Sequence, residues 1–256
     1  MANAWYNELI RLYPSPAAFS PDEETTPENP VPATELKDYT LVYDADLPSY
    51  IASGASRPES RLDVTADVPK GGFTRVAYLL ELGKTGMPNQ YAWAAMDAFT
   101  DDATKIVVPY RNCGFSWQQK VTNLRVFSNV HGLVTGGTIA EGNVEMWPNA
   151  YNPGSTLGNL GADQGKTVYD WDDAPTGPSD YYGSFQVHDF THQTTVFSYN
   201  HFTGDKATTE LGIGNDPNTG RRPYHPDWTM KENASSFVIR RLTVFVQKPG
   251  LILIYK

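Results

Sequence analysis

Three of the five histidines, His188, His192 and His201, fall in one stretch, Gly183–Asn215. Asp189 and His192 stand three residues apart within it. Three histidines on neighbouring strands would suit a tetrahedral zinc site. The loose spacing favours the simpler alternative, histidines hydrogen-bonded at a strand edge. The polar groups of the stretch gather in three places: His188-Asp189, Asn200-His201 and Gly214-Asn215. Loops at the rim of a β scaffold are where binding groups usually sit. The expectation is therefore one rim carrying His188, Asp189, His192, Asn200, His201 and Asn215.

Two acidic clusters could hold a hard cation. One is Asp97, Asp101 and Asp102, and the other is Asp170, Asp172 and Asp173. Carboxylates combined with backbone carbonyls bind calcium, and the first cluster is the candidate metal site, for a structural calcium. Neither matches an EF-hand loop, and turn and cap chemistry is the competing explanation. Trp147 and Trp171 lie among further aromatic residues in or near loops. A flat ring beside Asn, Asp and His suits a sugar, whose C–H face stacks while its hydroxyls take hydrogen bonds. Either tryptophan is a candidate platform, although most aromatic rings of the chain are expected in the core.

These residues must be positioned by strands. Ser184–His188, Thr194–Phe202 and Thr208–Ile213 are dense in β-branched and aromatic residues. Upstream, Tyr39–Tyr43, Arg61–Asp67, Phe73–Leu82, Tyr91–Phe99, Ile106–Pro109, Phe115–Val130 and Gly142–Trp147 read the same way. Ser236–Gln247 and Leu251–Tyr255 complete the set. Phe73–Leu82 and Ser236–Gln247 are apolar at both parities, which predicts burial between layers. Many short strands joined by Gly/Pro turns predict an antiparallel β-sandwich of jelly-roll type over residues 35–256. Residues 1–34 are set apart. Asn3–Tyr13 predicts a short amphipathic helix with Trp5, Leu9 and Leu12 on one face, and Pro14–Thr34 predicts an acidic, Pro-rich extended arm.

Composition narrows the function classes. The net charge is −9, which argues against nucleic acid and against an anionic membrane surface. No apolar run is long enough to span a bilayer, so no membrane insertion is expected. Cys113 is the one cysteine, which excludes an intrachain disulfide and a paired zinc ribbon. The first residues have no basic n-region and no long apolar core, so no signal peptide is expected in this chain.

Several segments in order resemble a known module: GGFTRVAYLLEL, WAAMDAFTDD, QQKVTNLRVFSNV, GNVEMWPNAYNP, YGSFQVHDF, LGIGN, HPDWT and IRRLTVFV. Over about Asp38–Gln247 the chain resembles the β-sandwich accessory module of planctomycete-type secreted proteins labelled sialate O-acetylesterase-like. The resemblance implies an extracellular or cell-surface domain working near glycans. His188, Asn200 and Asn215 are carried over only as members of the matching segments. The catalytic domain of such proteins is a separate part and has no counterpart here. Asp189-Phe190-Thr191-His192 also resembles the Asp-x-x-His of SGNH-type serine esterases. Their Gly-Asp-Ser nucleophile block, and the α/β alternation that would hold it, are missing.

The function expected from the sequence is non-catalytic binding of a glycan or glycoconjugate, with no required cofactor. A first alternative is a structural subunit that forms a filament, shell or surface layer, a homo-oligomer assembled through residues 1–34. A second is a carbohydrate esterase.

Overall fold

A computed structural model describes residues 31–48, 58–110, 113–115, 117–147, 181–192, 194–203, 209–214 and 232–249. These residues form an all-β sandwich of two antiparallel sheets. The first sheet has the order β2-β1-β12-β3-β4-β6. Its strands are β1 (Tyr39–Asp46), β2 (Ser60–Asp63), β3 (Arg75–Gly83), β4 (Gln90–Asp97), β6 (Arg125–Ser128) and β12 (Ile239–Gln247). The second sheet has the order β11-β10-β9-β8-β7-β5. Its strands are β5 (Trp117–Val121), β7 (Gly142–Trp147), β8 (Tyr181–Asp189), β9 (Thr194–Thr203), β10 (Thr209–Ile213) and β11 (Glu232–Asn233). This order does not spell out the two Greek keys of a jelly roll, and sandwich is the description it supports.

The inner faces alternate as the pleat requires. From β3 they contribute Val76, Tyr78 and Leu80, from β8 Phe185 and Val187, and from β9 Phe197 and Tyr199. Tyr78 sits at the centre, edge-on to Phe185 and Phe197 at centroid distances of 4.8 and 6.3 Å. A bulge between Leu41 and Tyr43 re-aims β1, and both Val42 and Tyr43 belong to the core.

Three strand expectations change. Arg61–Asp67 is a strand only as far as Asp63, and Thr65–Asp67 is a 3-10 turn. Ile106–Pro109 is not a strand. Ile106 follows a 3-10 turn, Ala103–Lys105, and its amide bonds back to the Ala103 carbonyl. Ile106, Val107 and Val108 are buried as a loop that plugs the core. Phe115–Val130 is not one strand but two, in different sheets. The break contains Asn123 in the left-handed region, φ 52°, which asparagine tolerates better than most residues. The N-terminal helix, the arm up to residue 30, the second acidic cluster and the terminal strand at 251–255 lie outside the described residues; the last residues of the expected arm do not continue it, because Val31 is buried and Ala33 and Thr34 open a short helix.

β3 and β12 are buried on both faces, as their apolar parity predicts. On the outer face of the first sheet the register forms rows: Phe245, Ala77 and Ala95; then Thr243, Leu79, Trp93 and Phe127; then Arg241, Glu81 and Tyr91. The upper rows make a second apolar cluster, where Trp93 packs on Tyr39 and on Phe245, both at 5.3 Å. Val31, just N-terminal to the expected domain boundary, is buried in this cluster, and Leu36 packs against it. Leu36 belongs to a short helix, α1 (Ala33–Leu36), whose Glu35 pairs with Arg125 at 3.2 Å. The lower row is ionic. Arg241 donates to both oxygens of Asp44, at 2.8 and 2.9 Å, and to Glu81 at 3.4 Å, and all three are buried.

Candidate functional site

The β8–β9 hairpin positions the candidate dyad. Asp189 ends β8, and its carboxylate turns back over the following turn. Oδ1 accepts from the His192 backbone N–H at 3.0 Å, and Oδ2 accepts from the His192 ring Nδ1 at 2.7 Å. Asp189 is buried, whereas the His192 side chain is 39% exposed. A carboxylate oxygen can only accept, so Nδ1 carries a proton and Nε2 is the ring nitrogen that this bond leaves for another partner. The turn is clamped from the neighbouring strand. The amides of Phe190 and Thr191 donate to the Glu141 carbonyl, and the Glu141 amide donates to the Thr191 hydroxyl. The clamp needs glycine at 142, because a Cβ there would stand 2.7 Å from the His188 carbonyl oxygen and 2.6 Å from Leu124 Cδ2.

His188 belongs to a different group. By parity it shares the outer face of the second sheet with Gln186, and across β7 with Asn143 and Glu145. Asn143 donates from Nδ2 to Glu145 Oε1 at 3.0 Å. That bond fixes the amide, so Asn143 Oδ1 faces the His188 ring, 2.6 Å from Nδ1. His188 Nδ1 therefore carries a proton and donates it. Its Nε2 lies 3.2 Å from the Gln186 side-chain oxygen. A neutral ring would require the Gln186 amide to present its NH₂ there, and an imidazolium would accept the orientation as placed. All four side chains are buried, so carboxylate, amide and imidazole form one chain of hydrogen bonds that holds the ring in a single orientation.

The described residues do not share the expected single rim. In an antiparallel hairpin the end of one strand meets the start of the next. His188 pairs with Thr195, whereas Asn200 pairs with Ser184 and His201 with Gly183. At roughly 3.3 Å per residue, His201 lies about 20 Å along β9 from the partner of His188. Parity separates them further. Asn200 has outer-face parity with Ser184, and His201 has the inner-face parity of Tyr199 and Phe185. The three histidines thus do not converge on a metal. Trp147 closes β7 opposite Ser184 and so shares a register row with Asn200. Gly214 returns to the hairpin end, with its amide on the Val196 carbonyl. Asn215 and Trp171 lie outside the described residues.

The first acidic cluster is dispersed by its own hydrogen bonds. Asp97 accepts from Arg75 at 2.8 Å, from the Thr122 hydroxyl at 2.7 Å and from Asn123 Nδ2 at 2.5 Å, which ties β4 to the β5–β6 break. Asp101 is exposed and faces Lys70 at 3.6 Å. Asp102 caps the turn Ala103–Lys105, accepting from the Thr104 hydroxyl at 2.6 Å and the Thr104 amide at 3.0 Å. Among the described residues no group of three or more His, Cys, Asp or Glu side chains is arranged to hold a metal ion. The Thr104 hydroxyl bond, first among several causes, holds the Asp102 carboxyl below its ordinary value. A depressed carboxyl adds stability above its unfolded-state value and loses it as the pH falls through the folded one. Asp102→Ala should cost roughly 0.5–1 kcal/mol at neutral pH, the low end because solvent screens an exposed cap. The deficit should shrink when urea denaturation is repeated at acidic pH. A deficit that grows under acid would contradict the capping role.

Asn143, Glu145 and Gln186 are the residues that sequence reading missed. Their signal was present as polar residues at alternate positions of β7 and β8, but that pattern ordinarily marks a solvated face. The chain matches no protein-family model, and no curated protein or solved structure is similar enough to count as a match.

Proposed function

We propose that this chain is a non-catalytic, carbohydrate-binding β-sandwich of the cell exterior or surface, and that it binds through the β8–β9 hairpin turn. The observation that carries the reading is the Asp189–His192 pair. A buried carboxylate fixes an imidazole whose ring is partly open to solvent, and such a ring can take a sugar hydroxyl at little entropic cost. Next to the turn, the outer face of the second sheet carries the buried network of His188, Gln186, Asn143 and Glu145. By register it also includes the positions of Asn200 and Trp147. The reading requires neither nucleic acid nor an inserted membrane segment, and among the described residues no helix is long and apolar enough to cross a bilayer.

The test is a glycan array in calcium and in chelator, followed by titration of any hit against His192→Ala. One shallow sugar contact buries little surface, so binding should be weak per site. Loss of one hydrogen bond worth about 1–1.5 kcal/mol should weaken it roughly 5- to 10-fold. Absence of any hit in both conditions would overturn the reading. A hit indifferent to His192→Ala would move the site off the hairpin. A hit lost in chelator would require a calcium ion that the acidic cluster at Asp97, Asp101 and Asp102 does not by its own geometry hold.

A further inference from the structure

The outer face of a two-layer sandwich is ordinarily polar, because water covers it. The outer face of the first sheet departs from this over its upper two rows. Ala77, Leu79, Trp93 and Ala95 expose no surface. Among the described residues off the sheet's own strands, only Val31 and Leu36 join this cluster. A buried valine and one partly buried leucine are a small cover for a face whose strands span roughly 25 Å across.

The chain itself indicates what completes the cover. Val31 is the first described residue, and it is seated on this face. The pairing of Glu35 with Arg125 holds the following turn to the sheet edge. Everything N-terminal to Val31 therefore starts from this face. Residues 3–13 carry an apolar stripe of Trp5, Leu9 and Leu12, and they are joined to Val31 by residues 14–30. Fully extended, that connection reaches about 55 Å, more than enough to return the stripe to any point on the sheet. Ala77 and Ala95 stand side by side on β3 and β4, beside the row of Leu79 and Trp93. The ionic row below sets Asp44 and Glu81 against Arg241, with Arg61 also acting on Glu81.

We propose that residues 3–13 dock as an amphipathic helix on the outer face of the first sheet of their own chain, over Ala77, Ala95, Leu79 and Trp93. A tether of this length gives an effective concentration near the millimolar range, above that of a second copy in dilute solution. The docked helix shields an apolar sheet face that would otherwise be a site of association. It is independent of the glycan reading, which concerns the opposite sheet.

The experiment uses the full chain with Cys113→Ser and a spin label at Asn7→Cys, on the side of the helix away from Trp5 and Leu9. Methyl and indole resonances are observed for isotope-labelled chain diluted into unlabelled protein. Paramagnetic broadening is expected at Leu79 and Trp93, with the second-sheet residues Val187 and Leu211 unaffected. Adding Leu9→Asp should abolish the broadening and raise binding of a hydrophobic dye several-fold. A second sample mixes spin-labelled, isotopically silent chains with isotope-labelled chains that carry no spin label. Broadening confined to that sample would overturn docking within one chain in favour of assembly between copies. Absence of broadening at Leu79 and Trp93 in both samples would overturn the proposal outright.

Discussion

Replacing Arg241 by methionine should lower the stability of the sandwich by about 3–5 kcal/mol, the cost of breaking a buried ion pair from one side. For a domain of this size that corresponds to a fall in Tm on the order of 10 °C, which thermal unfolding would read directly. Arg241 holds Asp44 through two bonds and reaches Glu81 through a third. Without it two carboxylates remain buried on one face with no guanidinium between them. Burial already holds the Glu81 carboxyl above its ordinary value, against the pull of Arg241. The sign of the pH dependence follows. A carboxyl raised in the folded state binds its proton more tightly there than in the unfolded chain, so stability falls as pH rises through the interval between the two values. Arg241→Met widens that interval, and the variant should recover part of its lost stability in mild acid. Replacing Asp44, Glu81 and Arg241 together by apolar residues of similar volume should restore most of the loss. A triple variant as unstable as the single one would mean that the cluster acts through packing rather than charge.

Asn143→Leu should cost about 2–4 kcal/mol, although it preserves volume. The substitution removes the bond that each of two buried groups, the Glu145 carboxylate and the His188 ring N–H, makes to the amide, and each loss is worth about 1–3 kcal/mol. Urea denaturation should show a lower midpoint with an unchanged slope. The more specific readout is the imidazole itself. Nitrogen resonances of the His188 ring should report a proton on Nδ1 in the parent chain and a mixture of tautomers in the variant. His192 should keep its own Nδ1 proton in both, because Asp189 holds it independently. A drop in stability with no change at His188 would show that Asn143 serves the sheet and not the ring.

The sequence by itself determined the class of the fold, through local preferences that a strand carries with it. Alternating and doubly apolar runs placed β3, β4, β7, β9 and β12 close to where they occur, and Gly142–Trp147 coincides with β7. The same reading located the Asp189–His192 pair, because both partners lie within one turn and their contact is a local matter. Where a residue's fate depended on a partner distant in the chain, local reading had no purchase. Phe115–Val130 carries β-forming residues throughout, and only the Asp97 contacts to Thr122 and Asn123 mark where it breaks between sheets. Ile106–Val108 is as β-prone as a strand, but its leading amide is taken by the preceding turn.

The candidate site shows the same division. His188, Asn200 and His201 looked equivalent as polar ends of strands. Antiparallel pairing puts the end of β8 beside the start of β9, so direction along the sheet separates them, and pleat parity then sends His201 to the opposite face from Asn200. The acids near Asp97 looked like ligands because they are close in sequence, yet each is drawn to a different partner: Arg75, Lys70 or Thr104. Asn143, Glu145, Gln186 and His188 read as a solvated stripe from two separate strands. Only the pairing of β7 with β8 brings them into contact, and only burial turns an exposed polar stripe into a connected network. Periodicity is a property of neighbours in the chain, and it decides which side of a strand faces a core. Which residues meet across that core, and at which end of a sheet, depends on pairings closed over long loops, and those belong to the tertiary structure alone.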